Sequence, residues 1–434
     1  MRCAVTVTDQ LPSGHLSLRD SVAWGMAGTV AYALCQWLLL LVLARLGSLD
    51  IVGQYSLGLA MTAPVFMFTN LQLASLEATD AAEVYTFSDY RLLRLLSFVV
   101  AGAVICAVAF QRPNGEARMI ILLVGLSKLV EACSDVHYGL FQRQHRLDLV
   151  ARSQFLRGTG AVICFWLALR FWGGLASAVV AMTGAWSLVL LLHDRPTQRR
   201  HKEWNRPRAP GAPGMAIRMP ALVREALPLG VVAMLISLNV SLPRVFTERY
   251  LGAHALGVFT AMAYFIVAGR LVIMPLGQAV APRLGLAISG GQRGVFLSLL
   301  RLLVGAGAAM GVAGVVAASL AGPLILSFLY GHQFATQSGA FVILMAAAGF
   351  GYVATFLQVA ATAARSLTPQ VSVIIATLFA TCAGSLLLVP TLGVSGAALA
   401  VLAGAVVECL GSGLMILFVV RRLSEEVPPT RAAF

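Results

Sequence analysis

The sequence predicts an all-α integral membrane protein, with about 12 transmembrane helices in two pseudo-symmetric six-helix lobes around a central cleft. Three observations carry this. The 434 residues are 59% hydrophobic and only 11% charged, with a mean hydropathy of +0.85, whereas a soluble chain is roughly 45–50% apolar and about 25% charged. The excess runs along the whole chain, so no single core can bury it and lipid must be its solvent. The apolar runs are also continuous and about 20 residues long, not alternating segments of about 10, which makes them helices and not barrel strands.

In chain order, residues 1–20 are polar and lack the apolar core of a cleavable signal, so they read as a cytoplasmic tail. Spans follow at about 21–44, 52–75, 95–111, 119–141, 156–172 and 174–193, the N-lobe of residues 21–193. The segment 194–223 is rich in Arg and Pro and reads as a cytoplasmic linker. Spans at about 226–246, 257–280, 302–321, 338–362, 370–389 and 394–420 make the C-lobe of residues 224–420, before a cytoplasmic tail at 421–434. A short echo relates the halves. Leu46-Gly47 precedes Gly53-Gln54-Tyr55-Ser56 after the first span, and Leu251-Gly252 precedes Gly257-Val258-Phe259-Thr260 after the seventh. Six helices per half make this a parallel repeat about an axis along the membrane normal.

The formal net charge of +13 is not a nucleic-acid footprint, because the basic residues sit between apolar spans. With both ends inside, the inner segments hold about 23 of the 31 Lys and Arg residues, which fixes the expected orientation. The outer connections are all short, too short to hold a catalytic domain. Gly-x-x-x-x-Gly-Lys-Ser/Thr, His-Glu-x-x-His and Gly-x-Ser-x-Gly are absent, so the chain is expected to be no enzyme, to hydrolyse no ATP and to need no metal or other cofactor. The seven cysteines show no pairing pattern and read as small hydrophobes. Trp24, Trp37, Trp166, Trp172 and Trp186 read as interface residues.

Charges inside spans need explaining, since each costs about 2.5–3.5 kcal/mol at mid-bilayer. Lys128, Glu131 and Asp135 share one stripe of the fourth span. They must line a watery cleft, pair with one another, or both. Arg270 sits in mid-span with no carboxylate on its own helix. It suits phosphate capture, unless Glu131 or Glu408 neutralises it. Arg45 and Arg244 lie near the outer interface, where snorkelling is the competing role. Glu408 could take part in ion coupling or in a structural hydrogen bond. Gln36, Asn70, Gln72, Asn239, Gln278 and Gln358 complete the buried polar set.

Three blocks then resemble a known family. The first is Trp24-Gly25, Tyr32, Gln36, Ala44-Arg45, Val52-Gly53-Gln54-Tyr55-Ser56 and Pro64. The second is Glu131–Asp135, Tyr138-Gly139-Leu140-Phe141-Gln142-Arg143, Arg146, Ser153 and Arg157. The third is Pro228-Leu229-Gly230, Leu256-Gly257-Val258-Phe259, Tyr330-Gly331 and Pro390–Ala398. In order and spacing, the chain resembles bacterial oligosaccharide and polysaccharide flippases, in the superfamily of multidrug, oligosaccharidyl-lipid and polysaccharide exporters. The resemblance implies a fold like that of multidrug and toxin extruders. It also implies a flippase of the inner membrane, for lipopolysaccharide or exopolysaccharide assembly, moving a polyprenyl-diphosphate-linked glycan by alternating access. Membrane lipids, a polysaccharide polymerase and a chain-length or copolymerase protein are the other partners it implies, and nucleic acid is not among them. Carried onto this chain, the diphosphate falls to Arg270, Lys128, Arg45 and Arg244, and ion coupling or cavity polarity to Glu131, Asp135, Glu408, Asn70 and Gln36. The competing expectation is an ion-coupled exporter of drugs or other small molecules, for which the carboxylates would be the site.

Overall fold

The computed structural model describes residues 18–80, 84–200, 214–366 and 368–425, and every regular element among them is helical. The first lobe opens with α1 (Leu18–Leu46) and α2 (Leu49–Thr69). Ser48 caps α2, its Oγ accepting the Ile51 N–H at 3.3 Å. Left-handed Leu71 and Gln72 end that helix before the short α3 (Leu73–Thr79). Thr86 and Asp89 form a capping box that starts α4 (Phe87–Phe110). Asn114 caps α5 (Gly115–Arg143), and left-handed Gly173 closes α6 (Leu147–Trp172). The helix α7 (Leu175–Val189) runs through a π turn at Leu190–Asp194 into α8 (Arg195–Arg200).

The second lobe is built from longer pieces. The helix α9 (Met215–Ser289) bends at Gly252, whose φ of 84° favours glycine, into arms 215–251 and 253–289. Next come α10 (Arg293–Tyr330), a 3₁₀ segment His332–Gln337 and α11 (Ser338–Ala363). The last element, α12 (Thr368–Glu425), bends at Gly393 into arms 368–392 and 394–425.

Nine helical segments among the described residues are long and apolar enough to cross a bilayer. Those holding α9 and α12 run to 75 and 53 residues and cross twice each, since about 20 residues suffice for one crossing. The 29-residue α5 also has the length, although its charges lower its hydropathy. This brings the crossings to the twelve expected, in a multi-pass membrane protein. The expected linker is helical at both its margins, in α8 and from Met215 onward, while its centre, 201–213, lies outside the described residues.

Apart from α2, helices α1 to α7 pack mainly on one another, as do α9 to α12, and the seam between the two sets runs chiefly between α2 and α9. Connections alternate between two ends of the bundle. The upper end carries the α1–α2 turn, residues 111–114, Gly173-Gly174, Gly252, the His332–Gln337 segment and Gly393. The lower end carries the α2–α4 connection, the α5–α6 turn and the start of α9.

Candidate functional site

The second lobe lines an open cavity of about 670 Å³ between both arms of α9, α11 and α12. It continues upward into a smaller space of about 110 Å³ that shares Asn239, Val240, Arg270 and Glu408 with it. Gln278, Pro282, Thr362 and Gln370 lie toward its lower end, and Arg244 and Phe259 toward its upper end. The charged residues on its walls are Arg244, Arg270 and Glu408.

Local sequence explains why Arg270 reaches this space. On α11, Gly351 leaves room beneath its guanidinium, since a Cβ there would stand 4.0 Å from Nη2. Gly269 beside it lets α11 approach, with the Tyr352 hydroxyl donating to the Ile266 carbonyl at 3.3 Å. Neither Arg244 nor Arg270 is in an ion pair among the described residues, and Arg270 Nε is buried without a hydrogen-bond partner. Neither of the carboxylates expected to neutralise Arg270 does so. Glu408 instead accepts from Gln358 Nε2 at 2.8 Å, and Glu131 is occupied in the other lobe. Two guanidinium groups and one carboxylate leave the walls net positive, with amides and hydroxyls below. Such a surface can hold an anion bidentately and hydrogen-bond a polyol.

The remaining candidates lie elsewhere, and three of them change role. Lys128 does not join Arg270. Its Nζ donates to Glu131 Oε2 at 2.7 Å, and Glu131 Oε1 accepts from Tyr32 at 2.7 Å and from Arg157 at 3.1 Å. That carboxylate holds two cations, so Lys128 is neutralised within the first lobe. Arg45 reaches across to the last carbonyls of α10, those of Phe328 and Leu329, and so acts as a helix cap. Asn70 ends α2 and accepts from Arg94 Nη1 at 2.5 Å. Gln36 lies on α1 with its Nε2 buried and unpartnered. Asp135 lies one turn beyond Glu131 with Arg157 and Arg94 in its field.

Sequence reasoning missed how deep Arg157 sits. It is 2% exposed, and its guanidinium lies over the rings of Tyr32, Tyr138 and Trp186 at 4.9, 5.6 and 5.4 Å. Trp186 is therefore a buried wall of that cage and not an interface residue. Trp37 donates to the Tyr330 hydroxyl at 3.1 Å, while Trp24, Trp166 and Trp172 are exposed as expected. The six described cysteines are unpaired. At the lower end of the seam, Arg218 of α9 holds Asp89 of α4 through two bonds of 2.8 and 3.2 Å, and Tyr85 donates to Glu225 at 3.1 Å. Burial, and then the Glu225 carboxylate, push the Tyr85 hydroxyl up from its ordinary value, so it stays a donor.

Residues 18–286 match the model of a family described as polysaccharide biosynthesis protein. The capsular polysaccharide biosynthesis protein CapF of Staphylococcus aureus is 28% identical over 386 residues, 85% of this chain and 91% of that protein. A structure of the lipid II flippase MurJ, in an inward closed conformation, superposes with a TM-score of 0.71 at 12% identity, covering 93% of this chain and 90% of that one. An outward-facing multidrug resistance transporter of the MATE family superposes with a TM-score of 0.63 at 15% identity, covering 94% and 96%.

Proposed function

The chain belongs to the polysaccharide biosynthesis protein family, and on that premise we propose that it is a flippase for a polyprenyl-diphosphate-linked oligosaccharide. It carries out no bond chemistry. Its work is to hold the charged head of the glycolipid in the second-lobe cavity while the two lobes rock about their seam, the lipid tail remaining in the bilayer. The observation that carries this reading is the pair of guanidinium groups, Arg244 and Arg270, lining one cavity with no ion-pair partner among the described residues.

The physical case is a matter of sign. A diphosphate is the strongest anion a bilayer-embedded glycolipid presents, and a guanidinium is the side chain best shaped to bind it in two places at once. A cationic drug would meet the same two charges as repulsion, with Glu408 alone to oppose them. The amides and hydroxyls of Gln278, Gln358, Thr362 and Gln370 then offer donors and acceptors to sugar hydroxyls.

The proposed setting is the bacterial inner membrane, with the lower end and both chain termini in the cytoplasm, where most of the basic residues would lie. Residues 194–223 serve as the cytoplasmic linker that joins the lobes in sequence, and cargo enters from the lower end. Arg270→Ala and Arg244→Ala should each reduce surface glycan by ~10–100-fold at equal protein level, because a charge-assisted hydrogen bond contributes about 1.5–3 kcal/mol. Unchanged glycan export with both replaced would remove the cavity from the mechanism.

A further inference from the structure

Among the described glycines, three make close contacts between the lobes, and all three lie on the α2–α9 seam. Gly230 packs at the lower end against the Phe68 carbonyl and Leu71. The other two lie at the upper end and are the glycines of the repeated turn. A Cβ on Gly53 would overlap the backbone carbonyl of Ala253, and one on Gly257 would overlap the backbone carbonyl of Leu49. Each contact is the image of the other: residue 53 sits on 253, and residue 257 sits on 49. The intervening pair obeys the same pairing, for the Asp50 and His254 side chains come within 3.8 Å, both well exposed. The echo in the sequence is thus an isologous contact, the two turns packing on each other about the pseudo-twofold axis.

Backbone resting on backbone at glycine brings helices close without interlocking side chains. Contacts within a lobe share this geometry, as where Gly311 of α10 meets Gly349 of α11, but among the described glycines only those of the α2–α9 seam mirror each other across the two lobes. The polar links of the upper seam are the exposed Asp50–His254 pair, the 2.9 Å Arg112–Glu248 ion pair, whose side chains are 23% and 20% exposed, the Arg45 cap on α10 and the Trp37–Tyr330 bond, beside apolar residues of both lobes that share one cluster.

We propose that the reciprocal contact of Gly53 and Gly257 is a reversible gate, closed in this structure, which must part for cargo to leave at the upper end. The inference rests on the transport reading above and adds to it where and by what the exit closes. A side chain larger than hydrogen at either position holds the gate ajar, and a covalent tie across it holds the gate shut.

The test uses Asp50→Cys with His254→Cys in the full-length protein, each single variant serving as the control. In proteoliposomes carrying a polyprenyl-diphosphate oligosaccharide, oxidation should lower translocation at least tenfold for the double variant alone, with full recovery on reduction. Adding Gly53→Val or Gly257→Val should slow formation of the 50–254 cross-link at least fivefold, whereas Gly102→Val, where a Cβ meets nothing within 4 Å, should not. The cross-linking comparison needs no cargo, so it reads the gate even if the glycolipid reading fails. Translocation undiminished in the cross-linked protein, or cross-linking as fast with Val at 53 or 257 as in the parent, overturns the proposal.

Discussion

At the scale of single residues, the same charge has opposite meanings in the two lobes. Glu131 accepts from Lys128, Arg157 and Tyr32, so removing its charge leaves the buried Arg157 and the partly buried Lys128 without their shared carboxylate. Breaking a buried pair from one side typically costs about 3–5 kcal/mol. Glu131→Gln should therefore lower the unfolding temperature in detergent and the amount of protein in the membrane. Lys128→Met should cost far less, because Arg157 and Tyr32 remain on the carboxylate. Arg270→Ala removes a cation that pairs with nothing described, so the protein should keep or slightly gain thermal stability while losing glycan export. The two substitutions thus separate a charge that builds the fold from one that serves the cargo, and a thermal shift assay beside an export assay reads the difference.

At the scale of elements, glycine decides what a helix can approach. Gly311 on α10 and Gly349 on α11 let those backbones cross inside the second lobe. Gly311→Val should prevent the crossing and reduce folded protein, measured as the loss of monodisperse protein on size-exclusion chromatography. Substitution at the inter-lobe seam should instead leave the lobes folded. The elements were legible in the sequence because hydropathy and length are properties of consecutive residues. Their ends were not. A span drawn at 156–172 left Arg157 at its margin, whereas α6 begins at Leu147 and places that guanidinium in its third turn. A span drawn at 95–111 likewise excluded Arg94, although α4 begins at Phe87 and buries it. Hydropathy trims charged turns from a helix, and those turns carry the first lobe's polar interior. Partner choice was equally hidden: Arg45 finds carbonyls almost three hundred residues away in sequence, which no local pattern encodes.

At the scale of the molecule, different ion pairs hold the two ends of the seam between the lobes. The Arg218–Asp89 pair at the lower end is side-chain buried to 6% and 2% exposure, and Arg112–Glu248 ties the upper end. Opening either end must break its own tie. Asp89→Asn should therefore favour the state open at the lower end, seen as faster labelling of a cysteine placed at Gln370 by a reagent confined to that side. The repeat was readable as Leu-Gly and Gly at matching positions, but only packing reveals that the two turns meet each other.

The central claim is that a cationic cavity carries the diphosphate head of a glycolipid across the bilayer. It is tested most directly with purified protein in sealed vesicles, comparing translocation of a polyprenyl-diphosphate oligosaccharide with that of the same glycan on an uncharged lipid. The diphosphate form should cross at a protein-dependent rate that Arg244→Ala and Arg270→Ala each cut by ~10–100-fold, and the uncharged form should not cross above the protein-free rate. Equal rates for the two lipids, or a diphosphate rate indifferent to both arginines, would contradict it.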